Sequence, residues 1–468
     1  MGTKSNKMSL LEKISYGSGN MGICLATTIV STFMMYFYTD VIKLGLIQVG
    51  TIMMVGGIAD AISDVLMGVI VDNTKSRFGK CRPYILFGAI PMAVICFFMF
   101  HIPSADSTTK YIYALVTYVL YTLAYTAVLI PQNVLLTAMT DDSKDRLGVN
   151  MCGSLGTNFG QLAVAAFALS LIKILGNGNE YMGYGIVATV FGIVGAVLIM
   201  IDGLNTRERM NTEAGQKVTA VDMLKAMKNG PWIICALTSL FTIAVVVIKS
   251  TTTVYFAANV LKNSGIASTL LSISNIIGIP ITLTIPFIAS KIGKRNLVCT
   301  GAVLSVVGSL GTLVGKNNVV LVIVFSVIAS VGLAFINGII YVMCAEAVDY
   351  GEWKNGVRIQ GFLMAFIGFS IKIANSLVSL LITALLNAGG YVGGAAEQTA
   401  SACRAIEFCY IGLPVILMLS VAVINVFYHL DQKYPEIRAE LEVRRQEAAR
   451  DEAENAQTEA LAAETART

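Results

Sequence analysis

The chain reads as an all-α polytopic membrane protein with twelve transmembrane helices in two groups of six. Three observations predict this. Of 468 residues, 55% are hydrophobic and only 13% charged, with a mean hydropathy of +0.71; a soluble domain has about 45–50% apolar and about 25% charged residues. Apolar runs of about 20 residues, enough to cross about 30 Å of hydrocarbon as helix, recur along the whole chain. The connections between them are strongly basic in every second loop only.

A polar N-terminal stretch, 1–16, lacks the apolar core and small-residue cleavage site of a signal peptide. Apolar runs near 17–38, 47–71, 83–101, 111–139, 147–172 and 181–201 then form a first six-helix bundle, 17–202. A polar loop, 203–231, separates the halves, and its segment 221–228 has the pattern of a short helix lying on a membrane face. Runs near 232–258, 267–290, 297–314, 318–345, 360–386 and 405–429 form the second bundle, 232–430. From 431 the chain becomes a charged, Ala/Glu-rich tail, 431–468. There Pro435 and Glu436 suit the first turn of a helix, and Ile437 and Leu441 are four apart with no heptad sustained after them. A solvated helix fraying into disorder is the expectation. Even-to-odd connections hold sixteen Lys and Arg, the others six. The positive-inside rule therefore puts both termini and the central loop in the cytoplasm, with the body in a bacterial cytoplasmic membrane.

The same composition excludes other classes. Thirty-three Lys and Arg against 29 Asp and Glu form no continuous basic face, so no nucleic-acid partner is expected. Nine cysteines stand singly, without CxxC pairs, and read as small core residues. The two histidines, His101 and His429, end apolar runs and make no metal or catalytic centre. No phosphate-binding loop is present, so ATP is not the expected energy source.

Charges inside the apolar runs carry the functional signal. Asp60 and Asp64 lie in the second run, and two mid-bilayer aspartates cost about 5–7 kcal/mol if unpaired. Four residues apart, they share a helix face. With Ser63 at their flank they make a hard-oxygen nest for a small cation, or a pair sharing a proton; a structural salt bridge to buried lysine is the plainer reading. Lys372 in the eleventh run and Lys249 in the seventh are the lysines available, and snorkelling is the alternative for Lys249. In the fourth run Tyr125, Thr126 and Asn133 flank Pro131, which suggests a kinked segment facing a cavity; ordinary helix packing is the alternative. Asn20 is an intramembrane amide, a type that more often joins helices than binds ligand. Gly68, Asp72 and Arg77 sit around the loop after the second run, and a second basic, Gly-containing turn, 288–295, follows the eighth. This suggests an internal repeat. Gly68 would allow close helix approach, and Asp72 would pair with Arg77 at a gate. An intramembrane aspartyl hydrolase needs carboxyls facing each other across water, usually from separate helices. Both aspartates project from one helix, so no enzyme is expected.

The runs Lys13–Gly19 and Tyr38-Thr39-Asp40, the Asp60/Asp64 pair followed by Ser76-Arg77 and Gly79-Lys80, and Asp349-Tyr350-Gly351-Glu352-Trp353-Lys354 resemble one family. It is the melibiose-permease-like glycoside–pentoside–hexuronide:cation symporters of the major facilitator superfamily, and the similarity spans about residues 10 to 440. The resemblance implies the major facilitator fold and secondary active transport: symport of a sugar with Na⁺, Li⁺ or H⁺ by alternating access, without other cofactor, by a functional monomer in the lipid bilayer. It assigns Asp60, Asp64 and Thr126 to the coupling cation, with the two aspartates as metal ligands if the ion is Na⁺. It assigns Lys372 to both sites, and Arg146 and Glu352 to gating loops. Ser63 stands where melibiose-type members have Asn. Cys24 and Leu129 stand where galactoside carriers have sugar-binding aspartates, so melibiose itself is not expected. That loss, with Lys249, suggests an acidic sugar as against a neutral glycoside. A carrier of lysolipid or another amphipathic solute is the alternative on the same fold.

Overall fold

Helices begin where the sequence supplies a cap, and several caps lie outside the apolar runs. Ser9 and Glu12 close a capping box, the Ser9 hydroxyl accepting from Glu12 N at 3.2 Å and the Glu12 carboxylate from Ser9 N at 3.1 Å. The first helix therefore starts seven residues before its apolar run. Asp106, Asn179, Asn229 and Thr399 cap four more starts through side-chain oxygens. Pro83 and Pro231 occupy first turns, where a missing N–H costs nothing.

The computed structural model describes residues 8–74, 76–140, 142–209, 229–355, 360–395, 397–431, 433–441 and 443. Among them are twelve long helices and no strand. They are α1 (Leu10–Tyr36), α2 (Leu46–Asn73), α3 (Arg82–Phe100), α4 (Ser107–Met139), α5 (Ser143–Gly176) and α6 (Glu180–Asn205) in the first half. The second half holds α7 (Gly230–Tyr255), α8 (Ile266–Ile292), α9 (Lys294–Val314), α10 (Val319–Asn355) and α11 (Gln360–Ala388). It ends in α12, Ala400–Val426, which contains a π-helical turn at Phe408–Gly412. Ten of these are long and apolar enough to cross a membrane; in α8 and α11 the apolar stretches among the described residues are the shorter Ile266–Gly278 and Ala374–Ala388. The segment 221–228, expected as a short helix on a membrane face, lies outside the described residues.

Each half packs around its own core. In the first, α1 lies against α5 and α6, and α3 against α4 and α6; in the second, α9 lies against α10 and α12, and α7 against α10 and α12. The halves meet through α2 with α11, α5 with α8, and α1 with α7. Glycine permits the closest of these approaches: a Cβ on Gly50 would stand 2.2 Å from Thr383 Oγ1, and one on Gly57 would meet Ser376 Oγ.

The two halves repeat each other in detail. α1 and α7 both end in a five-residue π-helical turn, Phe37–Val41 and Phe256–Val260. The start of α3 is held by a carboxylate that follows α6: Glu208 accepts from the backbone N–H of Lys80, Cys81 and Arg82 at 2.7, 2.8 and 3.1 Å. The start of α9 is held by a carboxylate that follows α12, Asp431 accepting from Arg295 N at 2.7 Å. Both use the positive end of a helix as an anion seat.

Two expectations change. Nothing lies within 4 Å of a Cβ built on Gly68, so that glycine brings no helix close. The tail is not a free helix either: residues 433–441 are helical and docked on the second half, with Ile437 and Leu441 each 4% exposed. Tyr434 donates to Asp349 at 2.9 Å and Trp353 Nε1 to Glu440 at 2.7 Å. A two-residue apolar stripe suffices once polar neighbours are anchored on each side of it.

Candidate functional site

Asp60 and Asp64 lie at the middle of α2, where α4 and α11 both approach it. Thr126 of α4 brings its hydroxyl to 2.8 Å from Asp60 Oδ1 and 3.1 Å from Asp64 Oδ1. Ser63 Oγ sits 3.1 Å from that hydroxyl and 2.9 Å from the Asp60 carbonyl oxygen. Lys372 crosses from α11, its ammonium 2.8 Å from Asp60 Oδ2 and in contact with Asp64 Oδ2. The three charged side chains keep 15% to 24% of their surface accessible, so the cluster is reachable.

Counting hydrogens shows what this arrangement lacks. Four oxygen–oxygen contacts join Ser63, Thr126 and the two aspartates, yet the two hydroxyls supply only two hydrogens. Lys372 compensates one of two carboxylate charges. One net negative charge and two proton-poor contacts remain, which suits a small monovalent cation or a proton. Lys372 thus gives the salt bridge of the plainer sequence reading, and it does so across the halves, which a purely local structural pair would not need.

The other predicted residues divide. Tyr125 stays with the cluster, within electrostatic reach of Asp60, Asp64 and Cys24, and stacks 6.5 Å from Tyr121. Lys249 does not join it. Its ammonium lies 3.9 Å from the centre of the Tyr410 ring of α12, on the same side of α7 as Phe256, which stacks on Tyr410 at 4.2 Å. It is directed toward α12 of its own half. Asn20 donates to Tyr16 O of its own helix at 2.9 Å, and Cys24 packs where α1 meets Gly160 of α5. Leu129 is half-buried, packed against the apolar core, and Asn133 is exposed. Arg77 is exposed, its guanidinium 4.7 Å over Phe78; the side chain of Asp72, its expected partner, lies outside the described residues. Arg146 donates to Thr140 O at 3.0 Å, and Glu352 is half-buried at the end of α10.

Sequence reasoning missed a second cluster, at the face where α1 ends. Tyr391, in the loop before α12, donates to Asp40 Oδ1 at 2.6 Å, and Gly394 N donates to the same oxygen at 3.1 Å. The Thr39 hydroxyl lies 2.7 Å from the Tyr255 hydroxyl of α7. Rings of Tyr36, Tyr255 and Tyr391 pack edge to face at 5.3 and 5.6 Å. Burial and the Asp40 charge push the Tyr391 hydroxyl above the ordinary tyrosine range, so it remains a donor. Lys173 and Ser264, 3.3 Å apart, add a contact between α5 and α8. The bonds described across the halves run from this face to the Asp64–Lys372 pair. At the opposite face, Lys13–Asp145, Arg209–Glu12 and Lys294–Glu346 each stay within one half.

The family described as MFS/sugar transport protein matches residues 15–432. The isoprimeverose transporter of Lactiplantibacillus pentosus is 33% identical over 93% of this chain and 92% of its own length. A putative glycoside/cation symporter of Escherichia coli (strain K12), YagG, is 29% identical over 91% of this chain and 93% of its own. Among solved structures, a bacterial homolog of the human lysosomal transporter Spinster, inward-facing and occupied, superposes with a TM-score of 0.66 at 14% identity, covering 92% of this chain and 98% of that one. That likeness concerns the fold alone.

Proposed function

The chain belongs to the MFS/sugar transport family, an integral membrane transporter and not an enzyme, and from that membership we propose that it couples uptake of a small glycoside to a monovalent cation bound at Asp60, Asp64, Ser63 and Thr126. The observation that carries this reading is the bridge from Lys372 on α11 to both carboxylates on α2. Two carboxylates and two hydroxyls are hard donors of the kind Na⁺ or Li⁺ takes, and they accept a proton equally well.

Coupling follows from competition. A cation entering between α2 and α4 neutralises the carboxylates that hold the ammonium of the opposite half. The α2–α11 contact is then weakened from within, and the two halves are freed to rock around a sugar held between them. Relatives named as glycoside or isoprimeverose carriers support a sugar as the solute, and favour it over a lysolipid. The basic loops support a cytoplasmic N-terminal face, which makes the Asp40–Tyr391 face external and this conformation closed to the outside.

The test is the melting temperature of detergent-purified protein with a panel of sugars, with and without Na⁺, for wild type and Asp64→Asn. A ligand at 100 times its Kd adds about 2.7 kcal/mol to the folded state. One sugar class should raise the melt, and Na⁺ should enlarge that rise only with Asp64 intact. A sugar effect that follows pH in place of Na⁺ assigns the proton; one indifferent to both overturns coupling at this site.

A further inference from the structure

The first half buries a carboxyl that plays no part in the cation cluster. Asp202, near the end of α6, is 0% exposed, and so is Gln132 of α4 beside it. Both carboxyl oxygens of Asp202 and Oε1 of Gln132 lack a hydrogen-bond partner. The nearby donors are directed elsewhere, the Gln132 NH₂ itself toward Tyr16 O at 3.5 Å. Tyr16 of α1 donates to Gln132 O at 3.4 Å, and Thr206 to the Asp202 carbonyl at 2.7 Å. Arg82 of α3 donates to Gly203 O at 2.9 Å and Leu204 O at 3.3 Å. Tyr16, Arg82, Gln132 and Thr206 are the polar groups that α1, α3, α4 and α6 turn toward this carboxyl.

The internal repeat says what the position is shaped for. Asp202 stands six residues before Glu208, the carboxylate that holds α3, and Asn425 stands six residues before Asp431, which holds α9. Gly19 and Thr238 each stand eighteen residues before the π-helical turn that ends α1 or α7. In the second half Asn425 Nδ2 donates to Thr238 Oγ1 at 2.7 Å and to Val421 O at 2.9 Å. In the first half Asp202 packs on Gly19 so closely that a Cβ there would stand 2.2 Å from Oδ2. The two contacts are equivalents, and the one with an amide uses it as a donor. A carboxylate has the shape of that amide and none of its hydrogens.

We infer that Asp202 is a proton-binding site: it carries its proton as a neutral carboxylic acid and donates it to Gln132 Oε1, distinct from the coupling-cation site. One added hydrogen satisfies the orphaned amide oxygen while the Gln132 NH₂ keeps its contact with Tyr16 O at 3.5 Å. The acid joins α6 to α4, the helix that also carries Thr126. A proton held by the folded state alone makes a contribution to stability that falls as pH rises.

Infrared difference spectra of wild type against Asp202→Asn test it directly. A protonated-carboxyl carbonyl band present at neutral pH and lost in the variant is expected; its absence overturns the assignment. Melting temperatures at about pH 5 and about pH 8, without sugar or Na⁺, give a second readout. Asp202→Asn should melt at or above wild type, by a margin that grows by about 2–4 °C between those pH values, with Asp202→Ala below both. If Asp202→Asn falls as far as Asp202→Ala at both pH values, the ionised form is what the fold needs. Stabilisation by Na⁺ at fixed pH that is lost in Asp202→Asn and kept in Asp64→Asn would make the site a cation site, which also overturns the inference. Only this last result would also count against the Asp60–Asp64 coupling reading; the infrared and pH outcomes do not touch it.

Discussion

Lys372 and Thr126 hold the same two carboxylates from different helices, one at Oδ2 and the other at Oδ1, and their replacement should separate two functions. Removing one member of a buried ion pair costs about 3–5 kcal/mol because the other charge stays behind. Lys372→Ala leaves two carboxylates facing each other and should abolish sugar uptake in proteoliposomes. Its cation affinity should rise, since the competing ammonium is gone. Thr126→Ala removes a hydroxyl bonded to charged oxygens, worth about 1.5–3 kcal/mol. The Na⁺ concentration that half-maximally shifts the melt should rise about 10- to 100-fold, and Thr126→Ser should restore it. An unchanged Na⁺ response in Thr126→Ala would remove α4 from the cation site. Asp60, Asp64 and Lys372 are legible in the sequence because a charge inside an apolar run is an anomaly wherever the helix points. The direction of Lys249 is not legible in that way. It shares an α7 face with Phe256, and only tertiary packing shows that this face meets Tyr410 of α12.

Between elements, the far face is closed by short polar contacts laid over glycine. A Cβ on Gly393 would stand 2.0 Å from the Thr39 carbonyl oxygen, a backbone atom that cannot rotate aside. Gly394 follows at a φ of +71°, a conformation glycine adopts without strain. The Tyr391 bond to Asp40 therefore depends on a loop that only small residues let approach α1. Tyr391→Phe deletes a hydrogen bond to a carboxylate, worth about 1.5–3 kcal/mol, and should shift the open-to-closed equilibrium of this face about 10- to 100-fold toward open. Spin labels on the α1–α2 and α11–α12 loops would report it as a longer distance population. Gly393→Ala should give the same change more completely. If both variants keep the wild-type distance distribution, the latch does not set the conformation. Nothing in the sequence marked Asp40 and Tyr391 as partners: they are 351 residues apart, each an ordinary polar residue near a helix end.

Across the whole molecule, the twelve helices and the division into halves follow from run lengths and loop charges, because a bilayer leaves helices few other ways to satisfy their backbone. The repeat was visible only as two basic turns. Its structural content, carboxylates after α6 and α12 seating the starts of α3 and α9, depends on contacts more than a hundred residues long. The second half adds a feature without a described counterpart in the first: the tail helix, 433–441, closes its core at the face where α9 begins, through Ile437 and Leu441. Fully burying one such side chain contributes about 1.5–3 kcal/mol, so the pair accounts for about 3–6 kcal/mol of the second half's stability. Deleting residues 433–468 should lower the melting temperature and make α9 and α10 the first protease-sensitive helices. Ile437→Ser combined with Leu441→Ser in the full-length chain should reproduce the effect, which separates loss of the apolar contact from loss of chain length. Sensitivity confined to the second half would show that the two bundles unfold separately, as alternating access by rocking requires of two bodies joined by few bonds. A melt unchanged by both alterations would mean that the tail rests on the second half without stabilising it.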